Sequence, residues 1–532
     1  MKDFAYYLDK TQEIGFVDQV FHSIIYAHGL PHAHPGEVVL FETGEIGYVL
    51  SLNDQSVEIS LLSPPVVDVG VRIARTNSYL SMKVSDDYLG MTITSADLEK
   101  NTFALEETEA DGRVDGKNTD LREVDTSKNT FTLHKKITEP LETGVKVVDL
   151  LVPIGVGQRE LLLGDRKTGK SNFVLQTIRT QAQKGCICVY ASIGKSQLEI
   201  QRLTQFFQSE QISKQTVFIA SNSAQRTGLI FLTPYVAMTV AEYFRDQGKK
   251  VLLVLDDLTT HARYYRELML LAKRFPGRNS YPGDIFHIHA RLLERGGNFK
   301  NGSITCLPVG QSFLGDLAGY IQTNLMSITD GHILFDNEYF DQGRRPAVNP
   351  FLSVTRVGEQ TQTPLAREIG RTLRTFLADF EKIQQFKHFQ TELNESIQYK
   401  FYMGERLINF LDQDSQEIVP FPMTLVLFGA IWADFWKNQP HEQIKKYLRT
   451  LIDLYKKDTG FQKQVDDIAT KSEKLSDFIE NIKQQQDLIA NNPALAAVTP
   501  PAAAPVAPPT PTPTAVSTTT PTQPIDKKEA KK

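Results

Sequence analysis

Cysteine is nearly absent: the chain's 532 residues include three, Cys186, Cys188 and Cys306. Three cannot form a disulfide framework, so a reducing compartment is expected. A large excess of one charge is missing too, with 58 basic against 63 acidic residues and a net charge of −5. That balance argues against a polycationic nucleic-acid coat, and no nucleic-acid partner is expected. No long hydrophobic run occurs. The longest, from about Phe421 to Trp432, contains a proline and a threonine and falls well short of the ~20 residues that span a bilayer. The opening MKDFAYYLDKTQEIG carries charges where a signal peptide needs an apolar core. These absences lead us to expect a cytoplasmic protein, one that could sit peripherally on a membrane-associated complex without anchoring itself.

What is present is ordinary for a globular protein: 41% apolar and 23% charged residues. At about 150 residues per domain, the length suggests three or four domains. Residues 1–83 are rich in Val, Ile and Gly in short alternating runs such as EVVLFETGEIGYVLSL, which predicts an N-terminal β-barrel. Residues 84–365 alternate apolar runs with helical stretches, as a parallel sheet with crossover helices requires. Within them, about 100–130 is a polar insert, expected as a loop or hairpin around Asp111-Gly112. Residues 366–490 show helical periodicity and no strand signal, predicting a C-terminal helical domain. In residues 491–532, ten of the chain's 26 prolines fall between Pro493 and Pro524, interleaved with Ala and Thr. Such a segment cannot bury enough surface to offset its ordering entropy, so a disordered tail is expected, either a solvated linker or a tether for a partner.

The strongest local signal is GDRKTGKS: Gly164, Asp165, Arg166, Lys167, Thr168, Gly169, Lys170 and Ser171. Two glycines let a backbone curl its N–H groups inward at phosphate oxygens, and the following helix offers them its N-terminus. Lys170 would reach the β and γ phosphates of ATP or ADP, and the Ser171 hydroxyl would ligate Mg²⁺. The lead-in Glu160-Leu-Leu-Leu163 reads as the preceding strand. A second apolar run, VLLVLDD, ends at Asp256 and Asp257. Asp256 stands where a strand-end carboxylate would hold magnesium; a helix cap is the plainer reading, and Asp257 suits it.

From about Glu139 to Phe386 the sequence resembles the alpha subunit of F-type rotary ATPases. The resemblance rests on EPLETGVKVVDLLVPIGVGQRELLLGDRKTGKS, LTPYVAMTVAEYFRDQGKKVLLVLDDL, FPGRNSYPGDIFHIHARLLER, YIQTNLMSITDGHILFD and RRPAVNPFLSVTRVG. It implies a P-loop (RecA-like) nucleotide-binding domain between a barrel and a helical domain. It also implies three such chains alternating with three catalytic beta-type subunits around a gamma-like shaft, with further stalk or membrane-linked proteins.

Two positions bear on the subunit type. Where catalytic subunits carry a Glu that positions the attacking water, this chain has Lys195. An ammonium cannot accept that proton. The alpha family usually has Gln there, so Lys195 departs from both patterns. Arg356, in SVTRVG, matches the family's arginine finger, which reaches the neighbouring subunit's γ-phosphate; Ser327 matches a residue at the same interface. Arg345 and Pro346 match residues beside the adenine, and Gln413 matches one of two family glutamines there, with Gln416 displaced by one from the other. Glu392 falls where the family contacts the shaft, though a solvated charge at a helix end is an equally plain reading.

LGMTITSADLEKNTF replaces the family's usual entry after the barrel, and together with the insert and tail it suggests a divergent paralogue, some of which are linked to gliding or surface machinery. The leading expectation is a non-catalytic, ATP-binding alpha-type subunit of an F-type-like rotary ATPase. The alternatives are a housekeeping ATP synthase alpha subunit, a self-sufficient homohexameric motor such as a secretion ATPase or Rho-like translocase, and a nucleotide-stabilised structural ring component.

Overall fold

A computed structural model describes residues 3–63, 67–94, 103–104, 119–125, 134–209, 212–386, 395–437 and 439–496. The alternating runs near the N-terminus form six antiparallel strands: β1 (Ile14–Phe21), β2 (Ile24–His28), β3 (Glu37–Phe41), β4 (Ile46–Leu52), β5 (Val57–Leu61) and β6 (Arg72–Tyr79). They close in the order β1-β2-β5-β4-β3-β6, with β6 pairing back onto β1. Val39, Val49, Ile59 and Ile73 fill the interior.

The central unit is built on a parallel sheet. Its strands run in the order Gly297–Asn298, Ser303–Pro308, Lys250–Asp256, Ile187–Lys195, Thr216–Asn222 and Thr92–Thr94. Only the edge strand Gly297–Asn298 pairs antiparallel. A second sheet of Glu160–Gly164, Gly331–Phe335 and Val348–Thr355 abuts the first through the parallel bridges Arg159–Cys306 and Leu162–Val309. Glu160–Gly164, Ile187–Lys195, Lys250–Asp256 and Ser303–Pro308 are covered on both faces, and their near-continuous apolar sequences follow from that. The helix Thr227–Asp246 is buried along almost its whole length.

Thr92–Thr94 was not foreseen as a strand. Three residues give too short a period to read, and it pairs only with Phe218–Ala220 at the sheet's edge. In the insert, Phe103–Ala104 and Thr119–Glu123 flank Ser81–Ser85 in a small antiparallel sheet. The rest of the insert, Glu392 and residues 497–532 lie outside the described residues.

The C-terminal unit is helical: Pro364–Phe386, Glu395–Leu411, Phe421–Trp432, His441–Lys457, Thr459–Lys471 and Leu475–Gln484 are its longer helices. The long apolar run is its central helix, with Met423 to Ile431 buried. A Cβ at Gly429 would meet Ile482 and Phe478 at 2.9 Å, so glycine lets the helices Phe421–Trp432 and Leu475–Gln484 approach closely. Among the described residues no helix is long and apolar enough to cross a membrane. One apolar core joins this bundle to the phosphate-loop side of the central sheet, including Phe173, Tyr190, Leu373, Phe428 and Phe478. The last described helix, Pro493–Ala496, buries Leu495 against it.

Candidate functional site

Glu160–Gly164 is wholly buried and delivers the chain to a tight loop before the helix Lys170–Gln183. Gly164 is required: a Cβ there would lie 2.4 Å from Phe335 O. Gly169, at φ +100°, faces open space, so it is the left-handed backbone rather than a close neighbour that calls for glycine there. Lys167 is also left-handed, at φ +67°.

Asp165 braces this loop. Its carboxylate accepts from Ser312 Oγ, Gly315 N and Asn337 Nδ2. Burial raises its pKa, but these donors outweigh it and hold the carboxyl below the usual range. Thr168 Oγ1 donates to Asp165 O at 2.8 Å, inside the loop. Asp165 and Thr168 therefore shape the cradle, and Arg166 and Lys167 are exposed on its rim. Lys170 folds inward, donating to Gly164 O at 2.6 Å and to Asp165 O. Burial pulls its pKa down to about 8.

A cavity of about 790 Å³ opens beside the loop, lined among others by Lys170, Ser171, Lys195, Asp256 and Asp257. Its size and its cationic, concave wall suit a nucleotide's phosphates. Asp256 ends its strand in register with Ser192, which brings the loop bearing Lys195 alongside. Lys195 Nζ lies 3.0 Å from Asp256 Oδ1 and 3.4 Å from Asp257 Oδ2. Burial opposes its charge, but the two carboxylates outweigh burial and hold the ammonium above the usual lysine range. The other Asp256 oxygen accepts from Tyr190 OH at 2.6 Å. Burial, then Asp256, pushes that phenol well up, so it stays a donor. Both oxygens of the expected metal-holding carboxylate are thus engaged within the protein. Ser171, the other expected ligand, is exposed at the cavity wall.

Asp257 is the helix cap that the sequence suggested: Oδ1 accepts from Thr260 N at 2.6 Å. Its Oδ2 also accepts from Gln311 Nε2 at 2.6 Å, and Gln311 Oε1 accepts from Arg166 Nε at 3.1 Å. Gln311 and Tyr190 were not foreseen. Tyr190 carried a signal in hindsight, because a tyrosine on a fully buried strand needs a partner for its hydroxyl.

Of the positions expected near adenine, Arg345 and Gln413 adjoin: Gln413 N donates to Arg345 O at 2.7 Å. Arg345 and Pro346 line a cavity of about 180 Å³ with Tyr339, Phe351 and Leu377. Arg345 stacks on Phe340, 3.7 Å from the ring centre. Gln413 is buried and spent on the backbone: Nε2 donates to Gly144 O and Glu417 O, and Oε1 accepts from Lys146 N. Gln416 lines another cavity, of about 520 Å³, with Arg449 and Lys456.

Arg356 is exposed immediately after Val348–Thr355. Register fixes its end of the sheet: Thr355 opposes Gly331, Gly331 opposes Glu160, and the loop leaves from the other end, at Gly164. Its guanidinium forms no ion pair among the described residues. Leu352 and Val354, at 52% and 38% exposure, alternate outward with it along the strand. Ser327 is exposed near the end of Tyr320–Ile328, a helix leading into the strand that starts at Gly331.

Comparison with known proteins places this arrangement. Residues 144–355 match the family described as ATP synthase alpha/beta family, nucleotide-binding domain, and residues 362–487 match ATP synthase alpha/beta chain, C terminal domain. The chain is 35% identical over 451 residues to ATP synthase subunit alpha of Aquifex aeolicus (strain VF5), covering 83% of this chain and 87% of that one. It is 36% identical over 445 residues to ATP synthase subunit alpha of Acholeplasma laidlawii (strain PG-8A), covering 82% and 87%. Both names speak of ATP synthesis, so the expectation of a gliding or surface machine has no support among them. The chain therefore belongs to the ATP synthase alpha/beta family, within which it is alpha-subunit-like.

Proposed function

We propose that this chain is a nucleotide-binding, non-catalytic alpha-type subunit. It alternates with beta-type subunits, three of each, around a gamma-like shaft, and lends Arg356 to the neighbour's phosphate site. The observation that carries the reading is the pairing of Lys195 with Asp256 and Asp257. Where hydrolysis needs a carboxylate to orient water, the loop presents an ammonium already bound to two acids. The phosphate loop and Lys170 hold ATP or ADP by charge and backbone N–H groups. Such a site contributes assembly and communication rather than turnover.

The place of Arg356 supports its action in trans. The five residues of Glu160–Gly164 separate its end of the sheet from the chain's own phosphate loop, a span of roughly 13–17 Å. An exposed, permanently charged guanidinium beside Leu352 and Val354 suits an interface in which charge develops on a partner's phosphate.

A self-sufficient motor would need another base. Glu199 and Glu267 also line the large cavity. Glu199 is committed to its own helix start, accepting from Ser196 N at 3.1 Å and Ser196 Oγ at 2.8 Å. Steady-state MgATP hydrolysis by the purified chain, with nucleotide occupancy measured on the same sample, decides between the readings. We expect bound nucleotide and turnover far below about 1 s⁻¹. Turnover at or above that rate, abolished by Glu199→Gln or Glu267→Gln, would establish the homomeric motor instead.

A further inference from the structure

We propose that the Lys195 ammonium takes the place of a divalent cation in this site, so that the chain binds nucleotide with little dependence on magnesium. The inference rests on reading the 790 Å³ cavity as the nucleotide site.

Three observations converge. First, both Asp256 oxygens already have a partner: Oδ1 faces Lys195 Nζ at 3.0 Å, and Oδ2 accepts from Tyr190 OH at 2.6 Å. A dication taking hold of Asp256 would have to displace an ammonium of the same sign. Second, Asp257 cannot substitute. Its carboxylate accepts from Thr260 N, Thr260 Oγ1 and Gln311 Nε2 as well as facing Lys195. Third, an ammonium has three donors. Asp256 and Asp257 use two, leaving one on a side chain that lines the cavity.

The charges explain what this does. Two carboxylates at a phosphate site repel an incoming polyphosphate, and a divalent cation ordinarily relieves that repulsion. Here Lys195 offsets one of the two negative charges from within the chain, and Lys170 and Lys195 together balance Asp256 and Asp257. Metal-free ADP or ATP then meets a wall without net negative charge, and Lys195 can donate its third N–H to a phosphate oxygen. Ser171 alone remains as a hydroxyl ligand for any cation that arrives with the nucleotide.

The test is equilibrium binding of ADP and of ATP to the full chain, in excess magnesium and in excess EDTA, for wild type, Lys195→Gln and Lys195→Arg. Wild-type affinity should change by less than about threefold between the two media. Lys195→Gln should bind at least about tenfold more weakly in EDTA and recover in magnesium. Lys195→Arg, which keeps the charge, should stay close to wild type, and thermal melting confirms that each variant is folded. A wild type that loses tenfold or more in EDTA overturns the proposal, as does a folded Lys195→Gln that binds equally in both media. If no form binds nucleotide in either medium, the reading of the cavity fails, and the inference fails with it.

Discussion

Arg356 and Gly164 stand at opposite ends of one sheet, linked by the register Thr355–Gly331–Glu160 at one end and Gly164–Phe335 at the other. On the proposed reading, an arginine set away from the chain's own phosphate loop acts on a neighbour's phosphates. In a complex reconstituted with catalytic subunits, Arg356→Lys should lower ATP hydrolysis by roughly 10³-fold. Nucleotide binding by the isolated chain should stay within about twofold of wild type. Unchanged hydrolysis would favour the structural ring component, in which Arg356 is dispensable.

Gln413 gives a different kind of prediction. All three of its amide hydrogen bonds go to the main chain, at Gly144, Glu417 and Lys146. Gln413→Ala removes all three bonds; Gly144 O keeps Val419 N and Glu417 O keeps Gln176 Nε2, but Lys146 N loses its acceptor, so the change should cost on the order of 1–2 kcal/mol of stability. Nucleotide affinity should move by less than about threefold. Urea unfolding and binding, measured side by side, check this. A tenfold loss of affinity at unchanged stability would put the amide against the base after all.

His261 and His289 predict an acid limit. His261 Nε2 donates to Phe231 O at 3.0 Å, so its Nδ1 must accept from His289 Nε2, 3.1 Å away. His289 Nδ1 is then buried without a partner. Burial pulls the pKa of His261 down to about 4, and that of His289 well below its ordinary value. Both are therefore neutral in the folded state. Once pH drops below about 6.5, the unfolded chain takes up protons that the folded chain refuses. The stability this pair contributes is full above that pH and lost progressively towards pH 4. Urea midpoints should fall between pH 7 and pH 5, and by less in a His261→Gln, His289→Gln double variant. Equal falls in both proteins would clear the histidines of any role.

The barrel, the parallel sheet and the phosphate loop were legible in the sequence because each rests on local period or spacing. The short apolar runs of Glu37–Phe41 and Ile46–Leu52, the apolar run Leu161–Leu163 and the glycines of the loop all act within a few residues of themselves. The engagement of Asp256 was not legible. It depends on Tyr190 and Lys195, which lie more than sixty residues away and arrive only through the pairing of Ser192 with Asp256. The partners of the Gln413 amide were illegible for the same reason, since a family match names a position and not what its side chain bonds. Thr92–Thr94 escaped because an edge strand of three residues carries no pattern of its own.

The closed barrel has a consequence for how such chains can meet. Because β6 returns to β1, the six described strands of this unit expose no unpaired row of amides and carbonyls for another strand to zip onto. A neighbour meeting this end would have to engage side chains and loops rather than add a strand, which guards the unit against sheet-by-sheet aggregation.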